Sequence, residues 1–256
     1  MKATKIAMVL AVVIGVAALL LRQGGGADHI LISDVVATPG MDGRIVVTMT
    51  FENRGAPDLV IAAASPEAAA MVHAPDSEGY PPLPAGAGYS FAMDGAHIVL
   101  ADLVGEAAEG RLIPLTLTFV LAGEVKLKAK VKGPTMEGMQ HGGMDHGAMH
   151  MVPVDAPEPA LSIVAMADED GWRIPVMTQN FTFSRDAADG PHEEGVGHGH
   201  LFVGGMKIGR VYGDVAAIGA LPPGQHLVRV SLNTNDHRAY AVGGAPVTAT
   251  ATIVVD

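Results

Sequence analysis

The stretch richest in reactive side chains lies between residues 133 and 153, where the chain reads GPTMEGMQHGGMDHGAMHMVP. Met136, Met139, Met144, Met149 and Met151 alternate there with His141, His146 and His150. Thioether sulfur favours Cu(I), and imidazole nitrogen accepts both Cu(I) and Cu(II). Close spacing in a glycine-rich chain lets several such side chains meet on one ion without a rigid scaffold. Histidine alone would suit zinc or nickel equally well; the interleaved methionines turn the reading to copper, with Cu(I) expected here. The competing reading is a linker whose Met and His are incidental. Linkers draw mainly on other residues, however, and methionine is oxidation-prone in an exported protein.

A second constellation follows. Residues 190–200 read GPHEEGVGHGH, and His237 stands in NTNDHR. His198 and His200, two apart at the start of a strand, project to one face. Neutral imidazoles so placed suit Cu(I) or Cu(II), and a third ligand from a neighbouring loop closes the set. His237 is the expected third ligand, with His192, His226 and Met177 in reserve. Asn180 and Asp236 are the expected partners orienting the imidazoles. The plainer alternative is that these histidines only cap turns and bond the backbone.

The whole chain narrows the options. It has 256 residues, 14 Met, 11 His and no cysteine, with a formal net charge of −11. Without cysteine there are no disulfides, thiolate zinc sites, iron–sulfur clusters or thiol catalysis. Acidity argues against nucleic acid, which is bound by neutralising phosphates. No nucleophile elbow, H-E-x-x-H or phosphate loop is present. At the N-terminus, Lys2 and Lys5 precede an apolar stretch over 6–21, the pattern of an export signal. It is short for a bilayer span, so residues 1–27 read as a cleaved signal or a retained inner-membrane anchor of a periplasmic or exported protein.

The elements that must hold these residues are strands. Residues 124–132 alternate cleanly, with Val125, Leu127, Ala129 and Val131 on one face and four lysines on the other. Residues 44–51 and 113–121 are rich in Val, Ile, Thr and Leu, and turn sequences separate them. A run of Ala over 62–70 allows one short helix at most. After residue 161, strands are expected at 175–183, 200–203, 206–212, 226–232 and 247–255, with Gly204-Gly205 as a two-residue hairpin turn. The expected architecture is all-β. It has a β-sandwich over 28–132, a flexible Met/His-rich linker over 133–160 and a second, histidine-containing β-sandwich over 161–256.

Three blocks in the first sandwich resemble the periplasmic copper chaperone family written PCu(A)C. They are SPEAAAMVH (65–73), LPAGAGYSFAMDGAHIVLADL (83–103) and IPLTLTFVLAGEVKLKAKV (113–131), and the resemblance covers roughly residues 30–131. It implies a cupredoxin-like sandwich that holds Cu(I) with two His and two Met at one edge. Carried over, the later histidine is His97 and the earlier His73. Counting from Ser65-Pro66 puts His73 one residue early, and in a strand such a shift reverses the face unless a deletion compensates. The family's His-x-Met is here His97-Ile98-Val99, and the loop after His73 has no Met. Met71 and Met93 are the nearby replacements, and a sandwich kept only as scaffold or docking surface is the alternative.

These readings combine into an exported copper-binding protein, a chaperone or a storage and delivery factor, that passes copper by ligand exchange with a donor or recipient copper protein. The rivals are a docking module without a tight metal site and a histidine-ligated copper or zinc enzyme.

Overall fold

The computed structural model describes residues 27–75, 77, 79–133 and 149–256. A single 3-10 turn (Ala27–His29) leads into a chain built from strands. The N-terminal set is β1 (Ile30–Pro39), β2 (Ile45–Asn53), β3 (Asp58–Ala64), β4 (Ala69–His73), β5 (Pro82–Leu83), β6 (Gly86–Phe91), β7 (His97–Ala101), β8 (Leu112–Phe119) and β9 (Gly123–Val131). The C-terminal set begins with β10 (Met149–Met151), β11 (Ala160–Ile163), β12 (Met166–Asp168), β13 (Gly171–Gln179), β14 (Thr182–Phe183) and β15 (Val196–Val203). It continues with β16 (Met206–Val211), β17 (Val215–Gly219), β18 (Gly224–Thr234), β19 (Ala239–Val242), β20 (Ala245–Pro246) and β21 (Thr248–Val255). Among the described residues no helix is long and apolar enough to cross a membrane.

The alternation read from sequence governs the packing. In β9 the lysines are exposed while Ala129 and Val131 are buried, and the strand pairs antiparallel with β8. β2 buries every second residue, sending Ile45, Val47, Met49 and Phe51 inward. Phe51 meets Phe91 edge to face at 5.0 Å, in a core with Ile98, Leu100, Leu115 and Leu117. Asp58, 1% exposed, accepts backbone N–H bonds from Leu59, Leu121 and Ala122, so its burial leaves its oxygens satisfied.

The alanine run forms no helix. β3 runs to Ala64, residues 65–68 bend, and β4 starts at Ala69. Pro66 keeps Ser65 out of helical geometry, and the segment is too short to repay helix nucleation.

Gly204 and Gly205 form the tight turn between β15 and β16, both at positive φ (50° and 81°), as a primed hairpin turn demands. This hairpin reaches the N-terminal set. Met206, fully buried, joins the N-terminal core cluster; Ala96 N–H donates to the Gly205 carbonyl at 2.6 Å; and Lys207 pairs with Ser90 of β6. Met149–Met151, read from sequence as part of a flexible segment, form a strand pairing in parallel with β19. The N-terminal stretch over 1–26 and the segment 134–148 lie outside the described residues.

Candidate metal centre

The motif Gly197-His198-Gly199-His200 lies in the middle of a sheet, with β15 paired to β18 on one side and β16 on the other. Strand alternation divides its side chains. Leu201 and Val203 face an apolar core with Val228 and Val230. His198 and His200 face the other way, opposite Asn233 and Ser231 of β18 and Arg210 of β16.

The two glycines are on the core face because nothing larger fits. A Cβ at Gly197 would lie 2.0 Å from the Asn233 carbonyl oxygen, and one at Gly199 would lie 3.0 Å from Val211 Cβ. Gly197→Ala is therefore expected to lower unfolding free energy by about 2 kcal/mol or more, because the obstacle is backbone. Gly199→Ala should cost less. Urea unfolding of the two variants checks the order.

His198, His200 and His237 converge. One ring nitrogen from each lies within 4.8 Å of the others. His198 and His200 are 0% and 3% exposed, with their Nε2 atoms 3.0 Å apart. Two nitrogens on one tetrahedral ion at ~2.0–2.1 Å are separated by roughly 3.3 Å, so this gap suits a shared metal with little adjustment. His237 stands in the turn after β18 at φ 70°, a left-handed conformation that histidine tolerates better than most residues. Its ring centroid is 4.9 Å from that of His198.

Carboxylates orient two of the rings. His200 Nδ1 lies 2.7 Å from Asp94 Oδ2 in the turn before β7. A carboxylate only accepts, so Nδ1 carries the proton and Nε2 keeps its lone pair for an ion. His237 Nε2 lies 2.6 Å from Asp189, which also accepts from Arg210 at 2.9 Å, leaving the His237 Nδ1 lone pair free. His198 Nδ1 is buried without a hydrogen-bond partner. That contrasts with His226, whose Nε2 bonds the Pro222 carbonyl at 2.7 Å as a turn-holding histidine does.

The electrostatics keep the two buried rings, His198 and His200, neutral. Burial pushes His198 down to about 3, helped by the neighbouring positive groups. Burial likewise pushes His200 down to about 4, against the opposing pull of Asp94. Burial alone would raise the Asp94 carboxyl; the His200 hydrogen bond and the Lys207 charge overcome it and hold the carboxyl well below the usual range. Lys207 Nζ is 2.8 Å from Asp94 Oδ2, and the Arg229 guanidinium donates to the Asp94 carbonyl and stacks 4.0 Å over Phe202.

The orienting residues expected from sequence are used elsewhere. Asn180 donates to the Glu158 carbonyl, and Asp236 pairs with Arg238 and Thr234. Of the reserve ligands, His226 is committed to Pro222, Met177 is exposed on β13, and His192 joins a different cluster with His150 and Glu194. Met93, assigned from sequence to the first sandwich, lines the cavity that also contains His200 and His237.

His73 and His97 are direct cross-strand partners on β4 and β7, so the one-residue offset in counting does not separate them. Their ring centroids are 4.9 Å apart, and His97 Nδ1 donates to the Gly95 carbonyl at 2.9 Å. Two residues along the same face Met71 stands opposite Val99, the position where the family motif has Met. Met136, Met139, His141, Met144 and His146 lie outside the described residues.

Residues 26–131 match the family profile described as "Putative lipoprotein LpqE-like". This is the same stretch that resembles the PCu(A)C chaperones. No curated protein matches the chain. Among solved structures, the copper-bound PCuAC domain from PmoF2 is 27% identical, covers 41% of this chain and 94% of that chain, and superposes with a TM-score of 0.38. The apo PCuAC domain from PmoF1 is 24% identical over 41% and 95% of the two chains, also at 0.38. Fibronectin(III)-like modules of Clostridium thermocellum CbhA are 12% identical over 86% and 92%, at 0.24.

Proposed function

We propose that this protein is an exported copper carrier, which holds copper at histidine–methionine sites on two β-sandwich units and exchanges it with a partner copper protein by ligand replacement. The observation that carries this reading is the convergence of His198, His200 and His237 beneath a cavity that Met93 also lines. Imidazole accepts either copper oxidation state, and a thioether at the cavity wall favours Cu(I). The resemblance of residues 30–131 to copper chaperones supports the choice of metal. His73, His97 and Met71 are the ligands we assign to the N-terminal sandwich, with Met71 taking over across the strand pair for the methionine that Val99 replaces.

In this reading Met136, Met139, His141, Met144 and His146 form a capture arm between sandwiches bounded at 28–132 and 161–256. Export rests on the basic and apolar residues at the N-terminus, and the lipoprotein family description is in keeping with a membrane-associated protein. The 256 residues contain no cysteine to carry a lipid, so the apolar stretch over 6–21 is the segment we assign to any inner-membrane tether.

Anaerobic titration of the full chain with Cu(I) against a competing chelator tests the proposal. Copper is expected to be retained. Met93→Leu is expected to weaken Cu(I) about tenfold and to leave Cu(II) nearly unchanged, because leucine keeps the volume and loses the soft donor. A full chain that retains neither Cu(I) nor Cu(II) would overturn the reading.

A further inference from the structure

We infer that His150, His192 and Glu194 form a second metal site, separate from the triad and suited to Cu(II). β10 pairs with β19 so that His150 stands opposite Tyr240. Alternation along this short strand turns Met149 and Met151 out to solvent and His150 in against the Tyr240 ring, with centroids 5.1 Å apart. His192, shortly before β15, meets His150 with ring centroids 4.1 Å apart and the rings tilted by 49°. Glu194 Oε2 lies 2.9 Å from His150 Nε2 and 3.3 Å from His192 Nε2. One ligand atom from each of the three residues lies within 4.8 Å of the others.

The arrangement is built from beneath. The Tyr240 hydroxyl shares its one proton between the Glu193 and Val196 carbonyls and accepts from Gly195 N–H, pinning the turn that carries Glu194. Its ring meanwhile packs against both imidazoles. An independent observation marks His192 as more than a turn residue: its Nδ1 is buried and has no hydrogen-bond partner. The ring rests against His150 and Tyr240, and its Nε2 meets Glu194.

The donor set decides the ion. Two imidazoles and a carboxylate are borderline and hard donors, and the neighbouring thioethers face away. Such a set favours a divalent ion, and Cu(II) binds most tightly of the first-row divalent metals. Cu(I), which favours soft sulfur over carboxylate oxygen, gains little from Glu194. For an ion to bind at the two Nε2 atoms, each neutral imidazole would carry its proton on Nδ1 instead of Nε2, freeing the Nε2 lone pair and the Glu194 oxygen together. The chain thus has a place for oxidised copper where the Met/His-rich stretch meets the C-terminal sheet, independent of whether the triad holds Cu(I).

Equilibrium dialysis of the full chain against Cu(II) alone, with electron paramagnetic resonance on the loaded protein, tests the site. Glu194→Gln keeps a hydrogen-bonding side chain on the turn, and His192→Ala removes a partly exposed ring, so circular dichroism should report both as folded. Each variant is expected to lose one equivalent of tightly held Cu(II), together with a signal carrying coupling to two nitrogens, while retaining Cu(I) as the unsubstituted chain does. Unchanged Cu(II) stoichiometry, affinity and spectrum in both variants would overturn the site and reduce the cluster to an ion-paired anchor for β10.

Discussion

Asp94→Ala is expected to lower the unfolding free energy by about 3 kcal/mol, the low end of the cost of removing one partner from a buried ion pair. Asp94 is the one carboxylate shared by His200 at 2.7 Å and Lys207 at 2.8 Å. Lys207 has 17% of its side chain exposed and lies near Arg210 and Arg229, so losing Asp94 leaves a positive charge with water on one side only. Asp94 keeps 24% exposure of its own, which sets the estimate at the low end. The same change removes the acceptor that fixes the His200 ring, and copper affinity at the triad should fall about 10–100-fold. Asp94→Asn, which keeps an acceptor for His200 but no charge for Lys207, should lie between. Urea unfolding and chelator competition on the same preparations check both effects. An Asp94→Ala protein as stable as the parent would remove Asp94 from this role.

His200→Ala is expected to separate metal binding from stability. The substitution takes one of three converging imidazoles, so copper affinity at the triad should fall by more than about 100-fold, beyond what loss of an orienting partner does. Asp94 and Lys207 still pair with each other in this variant. Its unfolding free energy should therefore change by only about 1–2 kcal/mol, the usual range for a polar truncation that strands no charge. The contrast with Asp94→Ala is the diagnostic: one variant loses metal and keeps its fold, the other loses part of both. A His200→Ala protein with undiminished copper affinity would exclude the triad as a copper site. Chelator competition and urea unfolding again provide the readouts.

Local patterns foretold a large share of this architecture. The lysine-faced strand β9, the glycine–glycine hairpin between β15 and β16, and the shared face of His198 and His200 all follow from the two-residue period of a strand. The pairing of His73 with His97 was less legible, because counting along one strand cannot register it against another. The supporting carboxylates were not legible at all. Asp94 is 106 residues from His200, and nothing in Met93-Asp94-Gly95 differs from an ordinary turn. Asn180 and Asp236 were nearer in sequence to the histidines and are satisfied by Glu158 and Arg238 instead. Proximity along the chain was the wrong guide there, since orienting bonds are made across space.

His150 illustrates the same limit from the other side. Its neighbours mark it as part of a glycine-, methionine- and histidine-rich stretch, yet pairing with β19 draws it onto the Tyr240 ring and next to His192. Composition and periodicity alone determined that the described chain is a β protein and that the soft and borderline donors it offers are imidazole and thioether, with no thiolate among its 256 residues. Those properties reside in residue types and in alternation, which each strand carries within itself. Tertiary structure alone decided which histidines meet, which carboxylates hold them, and that Met93 faces the triad cavity. Such choices depend on the register between strands and on how the β15–β16 hairpin packs against the turn before β7, and no single segment encodes either.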